Sequence, residues 1–206
     1  MIDIERYQAL SQIADIRRQM RLTRLFRGYR AITTFFTGMA ALAAGVWQAR
    51  EIPNAAAEPM RFVELWAGVA AACMALVGIE IALRYRSSDS PLQRDLTWTA
   101  VEQFLPAIVA GGGITAVVCH FAPNSIWLLP GLWLIFYALA IIASRRLLPG
   151  WSLIVGAFYL LCGLVYLGVA SHVGAFSPWF MALPFGAGQV AAALGLRQTL
   201  ERNHGE

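Results

Sequence analysis

Two runs in this chain set helix-breaking residues beside small ones. They are Phe104-Leu105-Pro106-Ala107-Ile108-Val109-Ala110-Gly111-Gly112-Gly113 and Ala182-Leu183-Pro184-Phe185-Gly186-Ala187-Gly188-Gln189. Proline removes a backbone donor and glycine loosens a helix, so carbonyls freed inside an apolar segment need a partner or a wet cavity. Each run lies in the third apolar segment of its half of the chain. Matched interruptions of that kind point to transporter sites between inverted repeats. One expectation is therefore a substrate site built from Pro106, Gly111, Gly112, Gly113, Pro184, Gly186, Gly188 and Gln189. The competing reading is that Gly and Pro are common in membrane helices and let neighbours approach closely. The scant similarity of the two halves elsewhere favours that second reading.

Other chemistry is thin. His120 and His172 close the third and fifth apolar segments at similar depth, as a haem or metal pair would require. No third ligand stands at suitable spacing, so no cofactor is expected and the default is two interfacial histidines. Glu80 precedes Arg84 by one helical turn, an i,i+4 pair that needs no function. Glu64 lies about 160° around and roughly 24 Å along the same helix from Glu80, too far for a carboxylate pair. There is no Gly-x-Ser-x-Gly, no P-loop and no intramembrane Asp pair, so no enzymatic activity is expected. Cys73, Cys119 and Cys162 offer no paired framework and read as small apolar residues.

The elements that must hold these residues follow from composition. The 206 residues are 58% hydrophobic and only 14% charged, against roughly a quarter charged in soluble domains. A bilayer core of about 30 Å takes some 20 helical residues. Six such segments run approximately over residues 31–49, 62–83, 104–121, 126–143, 152–172 and 178–196. They are apolar all round, whereas a soluble helix would carry one apolar stripe. The expected fold is all-α: a polytopic membrane bundle of six transmembrane helices over residues 31–196, with a short tail at 197–206.

Charge sets the threading. All sixteen basic residues are arginine, and fourteen fall before the first segment, between the second and third, between the fourth and fifth, or after the sixth. Only Arg50 and Arg61 lie on the opposite side. Arginine is retained in cytoplasmic loops, so both termini are expected in the cytoplasm. Trp47, Trp66, Trp127 and Trp179 mark the expected outer boundary, and Trp98 and Trp151 the inner one.

Residues 1–30 read as an amphipathic cytoplasmic helix. Ile2, Ala9, Ile13, Ile16 and Met20 share a stripe edged by Arg6, Arg17, Arg21 and Arg24, and the expected docking residues are Arg17, Arg18, Arg21, Arg24 and Arg27. Such a surface suits anionic lipid headgroups or a partner helix, or serves as a plain topology anchor. Ser90-Pro91-Leu92-Gln93 and Thr99-Ala100-Val101-Glu102 both carry capping-box spacing, which predicts a short surface helix ahead of the third span. Small residues recur every fourth position at Ala41/Gly45, Ala67/Ala71/Ala75 and Ala187/Ala191/Gly195, surfaces for packing within one bundle or in a homo-oligomer.

The runs Ile16-Arg17-Arg18-Gln19-Met20, Phe26-Arg27-Gly28-Tyr29-Arg30, Val101-Glu102-Gln103-Phe104-Leu105-Pro106, Leu128-Leu129-Pro130-Gly131-Leu132-Trp133 and Leu183-Pro184-Phe185-Gly186 resemble a group of small bacterial multi-pass membrane proteins with no assigned activity. The resemblance implies a bacterial inner-membrane location and supplies no catalytic residues. The expected function is a non-enzymatic accessory or regulatory membrane component, with a small transporter as the alternative and a haem or metal protein behind both. Nothing implies a nucleic-acid partner.

The arginine bias predicts that a periplasm-dependent phosphatase fused after Ala56 is active and one fused after His204 is silent. Activity at both positions, or at His204 alone, refutes the threading.

Overall fold

The computed structural model describes residues 31–87 and 91–202. The amphipathic segment with Arg17, Arg18, Arg21, Arg24 and Arg27 lies outside the described residues, as do Ser90 and the last four positions. The described residues form six α-helices: α1 (Ala31–Glu51), α2 (Pro59–Ser87), α3 (Pro91–Phe121), α4 (Leu129–Ala143), α5 (Ser152–Val173) and α6 (Trp179–Arg202). A 3-10 turn, Pro123–Leu128, leads into α4, and another, Ser144–Arg146, leaves it. All six helices, α4 together with its leading turn, are long and apolar enough to cross a membrane.

Helices α1 and α6 run antiparallel, so Ala31 and the end of α6 share one end of the bundle, here the proximal end. The connections α1–α2, α3–α4 and α5–α6 form the distal end. Gly174 closes α5 with φ +83°, a conformation that glycine reaches without steric penalty and that turns the chain toward α6.

Two seams hold the core. In α1 the buried residues are Thr34, Thr37, Gly38, Ala41, Ala44, Gly45 and Gln48, a repeat of three and four that keeps one narrow face on α6. Across it lie Ala182, Gly186, Gln189 and Ala193. A Cβ on Gly45 would meet the Ala182 methyl, one on Gly38 would sit 2.9 Å from the Gln189 Cβ, and one on Gly186 would sit 2.6 Å from Leu42. The second seam joins α4 to α5. There a Cβ on Gly163 would stand 2.8 Å from the Gly131 carbonyl, and one on Gly131 would stand 2.7 Å from Leu167. Small residues are needed because the backbones themselves are in contact.

Helix α6 also packs on α5, where Gly188 faces the Tyr159 ring and Gly195 the Trp151 ring. Helices α2 and α3 are held more loosely. α2 is anchored by Phe62, Val63 and Trp66 in its distal turns, and α3 by Ile114 and Val118 near its distal end. Trp133 of α4 donates its indole N–H to the Thr115 hydroxyl (2.9 Å), stitching α3 to α4.

Two expectations change. No separate surface helix precedes the third span, because α3 runs as one helix from Pro91. Thr99 does not cap; its hydroxyl donates to the Asp95 carbonyl (2.9 Å), which satisfies it while the helix continues. Trp66 is buried within the bundle, whereas Trp47, Trp98 and Trp179 are exposed. Of the small-residue stripes, Ala41/Gly45 is consumed within the bundle, while Ala67, Ala71 and Ala75 all face outward.

Gly45→Leu is expected to destabilise the fold by at least the ~1–3 kcal/mol of an overpacked core, because the displaced atoms are a neighbouring helix. Gly112, with nothing within 4 Å of an added Cβ, should accept alanine with no loss. Unfolding of the two variants in the same detergent measures the difference, and equal stability overturns the seam.

Candidate functional site

Polar side chains inside the bundle gather at two levels. At the distal level Gln48, fully buried, accepts the indole N–H of Trp66 on its Oε1 (2.7 Å) and donates Nε2 to the Phe176 carbonyl (2.8 Å). One amide thus ties α1, α2 and the α5–α6 turn. Tyr166 donates its hydroxyl to the Trp127 carbonyl at 2.9 Å, with the Ala175 carbonyl also beside it. Phe62 packs edge-on to Phe176 (5.3 Å) and Tyr166 edge-on to Phe180 (5.2 Å). This end is filled and hydrogen-bonded.

Below it lies an aromatic layer. The rings of Tyr137, Tyr159 and Phe185 stand 4.9–5.5 Å apart, bridging α4, α5 and α6. Gln189 donates its Nε2 to the Tyr137 hydroxyl at 2.6 Å.

On the proximal side of that pair is a half-enclosed cavity of about 60 Å³. Its walls come from Thr34 of α1, Phe104 of α3, Tyr137 and Ile141 of α4, Ser152 and Val155 of α5 and Gln189 and Ala192 of α6, with Leu148, Pro149 and Trp151 from the α4–α5 connection. Thr34 and Ser152 are each only 4% exposed, and neither hydroxyl has a hydrogen-bond partner. Buried polar groups are nearly always paired, and an exception asks for a reason. The surface it presents is almost wholly apolar, with no formally charged residue in the lining. It offers no nucleophile–base pair.

The eight residues expected to form one site are divided between environments. Gly186 and Gly188 are filled by Leu42 and Tyr159, and only Gln189 reaches the cavity. Gly112 and Gly113 face open space outside the bundle, and Gly111 lies 3.8 Å from Phe136 by its would-be Cβ. Pro106 is exposed and Pro184 half-buried. Both helices run unbroken through their prolines. The Gly111 carbonyl accepts the Thr115 hydroxyl (2.7 Å) from its own helix. Phe104 of α3 and Phe185 of α6 each pack on the cluster of Leu134, Ala138, Ile141 and Tyr159 from α4 and α5, and no glycine of either run bridges the two helices.

His120 is exposed at the distal end with its ring edge-on to Phe121 (4.6 Å). The side chain of His172 lies outside the described residues, as does that of Arg84. Among the described residues, no three of His, Cys, Asp and Glu come together as a metal site. Gln103 is half-buried with its Oε1 unpaired, and Glu80 is half-buried on α2.

Sequence reasoning missed Thr34, Ser152 and Gln48. Thr34 and Gln48 stand fourteen residues apart on the buried face of α1, a polar residue at each end of a small-residue stripe. That spacing was a signal available from the helix period alone.

No known protein family, characterised protein or solved structure matches this chain. Its architecture makes it an all-helical, multi-pass membrane protein.

The Gln48 clasp is expected to be worth ~1–3 kcal/mol, since its removal leaves two buried groups unpaired. A double-mutant cycle of Gln48→Leu and Trp66→Phe should show coupling, read from detergent unfolding. Strict additivity refutes the bond between them.

Proposed function

We propose that this chain is a non-enzymatic accessory or regulatory component of a bacterial inner membrane, with both termini in the cytoplasm. The single observation that carries this reading is the occupancy of the glycines. A carrier built on broken helices needs unwound backbone lining a cavity. Here α3 and α6 are continuous, Gly186 and Gly188 receive side chains, and Gly112 and Gly113 look outward. Among the described residues no three of His, Cys, Asp and Glu gather to hold an ion.

The partner-binding element in this reading is residues 2–30. Seven arginines in the first thirty positions suit an acidic partner helix or an anionic lipid surface. A bundle with few polar loops offers little other surface to cytoplasmic proteins. The small-residue stripe Ala67/Ala71/Ala75, exposed on α2, supports packing against a further helix in the membrane or a second copy of this chain.

Deletion of residues 2–30 is expected to abolish cross-links between this protein and its neighbours in native membranes while the six-span bundle still inserts. Unchanged cross-links after deletion would falsify the proposal. Transport of a solute by the purified protein in sealed vesicles would replace it with the carrier reading.

A further inference from the structure

We infer that the proximal recess seats one acyl chain of an anionic phospholipid, with Arg145 at its rim to meet the phosphate. The inference uses residues of the helical bundle alone, so it stands apart from the role of residues 2–30 and from the threading.

The recess exists because the surrounding helices are held unevenly. Helices α1, α4, α5 and α6 close on one another through glycine contacts, whereas α3 packs mainly on α4. Phe104 of α3, Thr34 of α1 and Ala192 of α6 thus line a shared space. No residue of α2 contributes to that lining. Helix α2 is anchored by Phe62, Val63 and Trp66 in its distal turns, and Met74, Leu76, Ile79 and Leu83 farther along it are exposed.

Chemistry selects the occupant. The surface of the recess is almost wholly apolar and carries no formally charged residue. Water does not fill an apolar cavity, and an ion would surrender its hydration there without compensation. Left empty, the wall atoms forfeit dispersion contacts. In a bilayer the apolar matter at hand is acyl chain. A volume of about 60 Å³ holds roughly four water-sized groups, which suits a stretch of a few methylenes. Because the recess is only half-enclosed, the rest of the chain can run out along the bundle.

The rim selects the headgroup. Leu148 and Pro149 belong to the wall, and Arg145 is exposed three positions before Leu148. The turn between them is held by the Leu148 N–H donating to the Ser144 carbonyl (3.2 Å). Arg197 is exposed one position beyond Leu196, another wall residue. Trp151 also lines the recess, and tryptophan favours the level where chains meet headgroups. An apolar slot bordered by guanidinium, whose fork matches phosphate geometry, answers both halves of an anionic phospholipid.

The test titrates the full chain in detergent with phosphatidylglycerol carrying a photoreactive diazirine midway along one acyl chain, and mass spectrometry locates the labelled residues. Labelling of Tyr137, Val155 or Ala192 should saturate at a single lipid per protein, while labelling of Leu161, exposed on α5, should keep rising. Unlabelled phosphatidylglycerol should displace the label at lower concentration than phosphatidylcholine with the same chains. Arg145→Gln should weaken phosphatidylglycerol about fivefold, the attraction of one arginine for anionic lipid, and leave phosphatidylcholine unchanged. Ala192→Phe, which fills the slot, should remove the recess labelling and spare Leu161. If that variant does not fold, the saturation and the Arg145→Gln comparison decide. Recess labelling that is absent, that tracks Leu161, or that yields equally to both lipids would overturn the site. So would labelling that appears only after deletion of residues 2–30, which would put that segment in the recess instead.

Discussion

Apolar helices in hydrocarbon gain nothing from hiding their side chains, because lipid tails are as apolar as leucine; they stay together only where contact is close. Everything else in this bundle depends on that constraint. A gap of even 0.5–1 Å forfeits about a quarter to a half of the dispersion attraction between facing atoms. Gly38, Gly45 and Gly186 remove that gap between α1 and α6, and Gly131, Gly156 and Gly163 remove it between α4 and α5. The seams fix the aromatic layer of Tyr137, Tyr159 and Phe185, because Gly188 lets α6 lie against the Tyr159 ring. The outlying helices α2 and α3 have no such seam. They attach chiefly by their distal turns and leave most of their surface to the surroundings.

The two ends of the bundle treat buried polarity in opposite ways. Distally, Gln48, Trp66 and Tyr166 pair with one another or with carbonyls of the turns, so the polar groups act as ties. Proximally, the Thr34 and Ser152 hydroxyls are buried without hydrogen-bond partners beside an apolar recess. A low dielectric makes a complete network rigid and an incomplete one expensive. The distal end is therefore the more completely tied end. This asymmetry runs along the helix axes and is independent of which compartment each end faces.

Much of the architecture was legible in advance. Six apolar runs predicted six helices, because run length against bilayer thickness is a one-dimensional property that no tertiary contact alters. Boundaries were less legible. α3 begins at Pro91 rather than near Phe104, since its polar first turns are helical by propensity and carry no apolar signal. The capping pattern at Thr99 misled because a threonine inside a helix can return its hydroxyl to the preceding turn. Gln189, legible as a deep polar group in an apolar span, bonds to the Tyr137 hydroxyl within the bundle. The glycines near it were assigned to a cavity when they serve contact.

The chain alone determined its composition-driven class: an apolar helical protein with arginine concentrated between alternate spans. Only the folded arrangement decided what each glycine is for. A missing side chain is the same feature in sequence whether a neighbour, lipid or a ligand fills its place. Gly45, Gly112 and Gly188 are indistinguishable as letters. They differ because Ala182, open surroundings and Tyr159 stand opposite them, and those identities come from helices distant in the chain. The same holds for Thr34 and Ser152, 118 positions apart, whose shared wall exists only once α1 and α5 have both found α6.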